Sequence, residues 1–169
     1  MEPDISTMII KLVEVQTGSE SLRVGMGERA FQRSKDLRAI RKRWDESGPH
    51  AAAWTKELRD LSDAGQETVA KAVALVREVS ALRVERNLKL VASASDLGQS
   101  LDQDPRTLLS EMIAAYRREL EVDLPPIEAL MSELDRQVSD IEALADTRLS
   151  SEGRASKWFV RKSNLDSGL

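Results

Sequence analysis

The sequence contains no cysteine and a single histidine, His50. The first absence excludes disulfides, thiolate metal sites and cysteine nucleophiles, and it leaves no redox clue to the compartment. With one histidine and no thiol, an ordinary zinc site cannot be assembled. A hydrolase triad would need partners for His50 that the sequence does not mark. Also missing are a G-x-x-x-x-G-K-[ST] phosphate loop, an H-E-x-x-H zinc helix and the Glu-x-x-His pair of di-iron bundles. No apolar run approaches the roughly 20 residues of a membrane span. Met1–Gln16 carries acids where a secretory leader would carry cations. These absences predict a non-enzymatic chain with no catalytic residues, cofactor, metal or small-molecule substrate, and with no membrane span. They place it in the cytoplasm, with export independent of a signal peptide as the alternative.

What is present has the texture of long helices. Of 169 residues, 41% are hydrophobic and 32% charged, a mixture suited to amphipathic rods and coiled coils. The stretch from Gln66 to Leu97, free of glycine and proline, carries Val69, Ala72, Val73, Leu75, Val76, Val79, Leu82, Val84, Leu88, Leu90 and Val91. On a helical wheel these spread over more than half the circumference, which predicts neighbours on several sides. The expectation is an all-α bundle with this long helix at its centre, forming a single domain over residues 1–150.

Around that rod the other segments take their places in order. Residues 5–16 suit a helix by the spacing of Ile5, Met8, Ile9, Leu12 and Val13, with a strand as the competing reading because Ile9, Ile10, Val13 and Val15 are β-branched. Gly18 reads as its stop. Gly25-Met26-Gly27-Glu28-Arg29-Ala30 matches G-x-G-x-x-A, but a dinucleotide fold needs alternating strands that do not follow it, so the string reads as a helix entry. Met26, Ala30, Leu37, Ile40 and Trp44 form one stripe, into which Arg33 intrudes; an arginine there snorkels or finds a carboxylate. Ser47-Gly48-Pro49 breaks the chain, Trp54 reads as a packing anchor, and Asp63-Ala64-Gly65 is a turn or a soft spot. Asp104-Pro105 gives an N-cap with proline at N1. Pro125-Pro126 then predicts a turn between two antiparallel helices, 105–122 and 126–149. The second of these carries a coiled-coil seam, Ile127, Met131, Leu134, Val138, Ile141 and Ala145, that demands a partner helix.

Charge is distributed in two blocks. Between Glu28 and Arg43, Arg29, Arg33, Lys35, Arg38, Arg41, Lys42 and Arg43 face two acids, a local balance of +5, whereas Glu119–Asp146 holds nine acids against Arg136, a balance of −8. The basic helix could lie on the acidic one, within a chain or across a dimer, since opposed charge selects partners and orientation. After a linker at 150–153, residues 151–169 read as a flexible tail in which Trp158 and Phe159 stand among Arg161 and Lys162, a pattern suited to docking on a partner. The functional expectation is a helical protein-protein interaction subunit, an adaptor, scaffold or chaperone-like component that binds protein partners or itself. One alternative is a nucleic-acid-binding subunit that uses Arg29, Arg33, Arg38, Arg41, Lys42 and Arg43 on phosphates. The other is a secreted or secretion-associated helical protein.

Overall fold

The computed structural model describes residues 3–47, 55–97 and 104–166, with the backbone alone at 90, 93–97 and 149–166. Ser47 apart, the predicted break at 47–49 lies outside the described residues, as do His50, Trp54 and the loop at 98–103. The protein is an all-α helical bundle. Helix α1 spans Ile5–Glu46, α2 Thr55–Leu97, α3 Pro105–Arg118 and α4 Pro125–Asp166, with a π-helical turn, Glu119–Asp123, between the last two.

Residues 5–16 are helical, and α1 runs on through Gly18, Gly25 and Gly27 to Glu46. A glycine inside a helix costs roughly 1 kcal/mol against alanine. The inward stripe outweighs this: Met8, Leu12, Met26, Ala30, Leu37, Ile40 and Trp44 are all buried, and long helices draw their stability chiefly from such packing. The G-x-G-x-x-A string is therefore mid-helix, where its backbone N–H groups are spent on helix bonds and cannot cradle a phosphate. Asp4 starts α1 by accepting the Thr7 N–H at 2.7 Å. Hydrogen bonding from the Thr7 side chain first, and from this N–H second, holds its carboxyl below the usual aspartate range. Asp104 does the same for α3 through the Arg106 N–H at 3.1 Å, with Pro105 at the first helical position as the sequence predicts.

Two compact units make up the chain, the first from Met1–Ala30 and Lys71–Met131, the second from Phe31–Ala70 and Ser132–Leu169. In the first, α1 and α2 run antiparallel: Arg23 Nη1 donates to Ser80 Oγ at 2.9 Å, and Glu20 lies 3.6 Å from Arg83. α3 closes the three-helix core, with Ile113 and Tyr116 against Met8 and Leu12. Tyr116 donates its hydroxyl to Asn87 Oδ1 at 2.6 Å, and Arg86 donates to the Ala115 carbonyl at 2.9 Å.

The second unit repeats the antiparallel pairing of α1 with α2. Ser34 Oγ donates to Gln66 Oε1 at 3.0 Å, and Trp44 Nε1 donates to Thr55 Oγ1 at 3.4 Å. Gly65 does not break α2, and its role is steric. A Cβ there would stand 2.9 Å from Cδ1 and 3.2 Å from Cδ2 of the buried Leu37. Gly65→Val is expected to cost about 2 kcal/mol through overpacking, read as a lower urea midpoint at unchanged m-value. Indifference to this substitution would mean that α1 and α2 are less closely packed here.

The seam of α4 is buried along its length. Ile127, Met131, Leu134, Val138, Ile141 and Ala145 are 0–2% exposed. The two prolines do not form a hairpin turn. Arg118, Glu119 and Leu124 all keep right-handed helical dihedrals, and the Leu124 N–H bonds the Glu119 carbonyl five residues back at 2.9 Å, so the chain passes from α3 into α4 without reversing. Proline is tolerated in the first turn of a helix, where its missing N–H has no partner to lose. The antiparallel hairpin is instead that of α1 with α2. The backbone of α4 also continues through 150–153, read from sequence as a linker, to Asp166.

Candidate interaction surface

The wide apolar arc of 66–97 predicts neighbours on several sides of the long helix. In the first unit α2 packs against α1 and α3, and one flank is left open. Ala72 and Val79 are buried, whereas Val84, Leu88 and Val91 are 59%, 65% and 64% exposed. Their helical phase sets them on the flank of α2 that turns away from α3, which is contacted through Arg86 and Asn87. On α1, Ile9 and Val13 occupy the matching flank and are 47% and 54% exposed. The pairing of Arg23 with Ser80 and of Glu20 with Arg83 sets Val13 at the level of Leu88–Val91. Together they make one apolar face along the outer groove of the α1/α2 pair. Ala81 and Ala92 extend it on α2, both exposed, and the nearest charges there, Glu85 and Lys89, sit to one side and bond each other at 3.3 Å.

Behind this face the core of the first unit is interrupted by charge. Glu119, the first residue of the π turn, is fully buried. Its carboxylate lies 3.8 Å from Arg83 Nη1 and 3.6 Å from Arg86 Nη1, too far for hydrogen bonds, and both oxygens are without a hydrogen-bond partner. Arg83 is buried over the Tyr116 ring, 5.2 Å from its centroid, and reaches Glu20; Arg86 reaches Asp123 at 3.7 Å. Burial pushes the Glu119 carboxyl up, the three arginines Arg83, Arg86 and Arg23 pull it back in part, and Asp123 adds to the rise. Such a layer favours one register of the three helices over others, because a slip would bury these charges unpaired.

In the second unit the basic segment of α1 meets carboxylates. Arg33 donates to Asp135 at 2.7 Å and to Asp36 at 3.0 Å, and Arg43 donates to Asp146 at 2.6 Å. Arg41 lies 3.7 Å from Asp63, Lys42 3.9 Å from Glu46, and Lys35 stacks over Phe31. Arg29 is engaged as well, and Arg38 is exposed. The opposed charge blocks thus meet within one chain. Each exposed pair adds at most about 1 kcal/mol, so their part is in orientation.

The tail residues Trp158, Phe159, Arg161 and Lys162 fall on α4 by backbone, and their side chains lie outside the described residues. A cleft of about 300 Å³ between the first turns of α1 and the middle of α3 is lined by Thr7, Met8, Lys11, Ser110, Ile113 and Arg117, a mixture that supplies no acid–base pair. Among the described residues no three His, Asp or Glu side chains gather as metal ligands. No helix there is long and apolar enough to cross a membrane.

Spacing alone does not single out Ile9, Val13, Val84, Leu88 and Val91 as a shared face. The signal was the width of the apolar arc on 66–97, which exceeds what two neighbouring helices can cover. Comparison with protein-family models, with curated proteins and with solved structures found no match.

Proposed function

We propose that this chain is a non-enzymatic interaction subunit whose outer α1/α2 face in the first unit docks on protein. The carrying observation is the exposure of Val84, Leu88 and Val91 beside Ile9 and Val13 along one groove, with the charges Glu20, Glu85 and Lys89 at its edges. Scattered exposed apolar residues are ordinary, but a contiguous patch of this kind marks association sites. Two antiparallel helices with an unfilled apolar groove offer a further helix the packing that α3 finds on their other side. The nucleic-acid alternative has less to stand on, since Arg33, Arg41, Lys42 and Arg43 are each close to a carboxylate and present no open track for phosphates.

The test is the size of the particle that carries the chain in undenatured extract of its own cells. The wild-type chain is expected to elute well above its mass of 18.8 kDa. Leu88→Asp with Val91→Asp should move it to the mass of the free chain without lowering its melting temperature, because neither side chain is in the core. Elution of the wild-type chain at its own mass would end this reading.

A further inference from the structure

Resting on that reading, we propose that the occupant of the outer α1/α2 face is a second copy of this chain, docked by the same face through a two-fold axis. The face is the outer side of an antiparallel helix pair, and two such pairs stacked on each other place four helices around one apolar interior, the packing of a four-helix bundle. At the axis of a two-fold interface each residue meets its own equivalent, so a charge at the centre would meet a like charge. This face has none there. Ala81, Val84, Leu88, Val91 and Ala92 on α2, with Ile9 and Val13 on α1, are uncharged, and the first acid along the α1 flank is Glu20, at the rim.

Area supports the same occupant. The exposed fractions of Ile9, Val13, Val84, Leu88 and Val91 correspond to roughly 500 Å² of apolar side chain, against the ~800 Å² per partner of a standard interface. Homodimer interfaces are about two-thirds apolar, so 500 Å² is the apolar share that a stable dimer of standard size requires. A second helix pair covers both flanks.

Sedimentation equilibrium of the purified full chain at micromolar concentrations tests this. The expected particle has twice the chain mass of 18.8 kDa. Leu88→Glu and Val91→Glu together should weaken the dimer by about a hundredfold, because four carboxylates then crowd the axis. Phe31→Glu removes an exposed aromatic from the second unit and should leave the dimer intact. Circular dichroism of each variant verifies the fold; if the double variant melts early, Leu88→Ser replaces it, with a tenfold weakening expected. A wild-type monomer throughout the range overturns the proposal, and so does a dimer that tolerates the Leu88 and Val91 changes. A chain that is monomeric when pure but heavy in extract removes the second copy as occupant and leaves the interaction reading standing.

Discussion

Leu134→Ala is expected to lower the stability of the chain by about 3 kcal/mol, and Leu88→Ala to leave it unchanged within about 0.5 kcal/mol. Both residues are leucines on long helices, and residue type alone does not distinguish them. Leu134 is wholly buried in the α4 seam, so the truncation removes apolar contact and opens a cavity that the neighbouring turns close only in part. Leu88 is two-thirds exposed, so its truncation withdraws little surface from the folded core. In a chain of this length 3 kcal/mol corresponds to a fall of roughly 10 °C in Tm. Thermal unfolding of the two variants at low protein concentration, where association does not add stability, checks the contrast. Equal losses would mean that the α2 flank is packed inside the monomer and that the exposed face does not exist.

Replacement of Glu119 separates its charge from its volume. Glu119→Ala is expected to cost about 3 kcal/mol, because it empties a closed site and strips buried Arg83 of a neighbouring acceptor. Glu119→Gln keeps the shape and one acceptor oxygen, and its effect depends on pH. The carboxyl of Glu119 titrates above its ordinary value of 4.5, with burial as the main cause, so the folded chain holds this proton more tightly than the unfolded one. Stability contributed by a group of this kind is present below its unfolded pKa and is lost as pH rises through the folded one. At pH 4 the wild-type and Glu119→Gln proteins should therefore melt alike, and above the folded pKa the glutamine variant should be the more stable. The opposite order, a wild-type advantage near neutrality that disappears on acidification, would show Glu119 to be an ordinary ion-paired carboxylate and would remove burial as the dominant influence.

Several elements of this fold are legible in the residues because one local cause decides each of them. Asp104-Pro105 writes the start of α3, and the alternation of four and three from Ile127 to Ala145 writes the buried stripe of α4. Arg33, intruding into an apolar stripe, has two outlets, snorkelling or a carboxylate, and Asp135 supplies the second. Other features turn on competition between local and tertiary effects. Gly18 and Gly65 carry the composition of helix ends, yet the packed stripes on both sides outweigh a penalty of about 1 kcal/mol each, and at Gly65 the missing Cβ makes room for Leu37.

Pro125-Pro126 presents the clearest case. Two missing N–H groups read as a reversal, but the chain absorbs them by widening to a π turn just before, where the Leu124 N–H reaches back to Glu119. A trace of this was present in the spacing. Tyr116, Leu120 and Leu124 step by four and four where a regular seam would step by three and four, and that extra residue is what the π turn accommodates. The exposed face follows from a similar ambiguity. A wide apolar arc predicts many neighbours whether they belong to the same chain or to another, and only the placement of α3 shows which flank stays open.

The central claim, that this open flank is occupied when the chain is at work, is tested most directly by a single reactive thiol. The chain has no cysteine, so Leu88→Cys introduces the only one, and its rate of alkylation reports on access to that site alone. The rate is compared between dilute purified protein and the assembled protein in native extract, with Ala39→Cys, at an exposed position in the second unit, as the reference. The account predicts at least a tenfold slowing of the Leu88→Cys thiol on assembly with the reference unchanged. Equal rates at Leu88 in both states would contradict it.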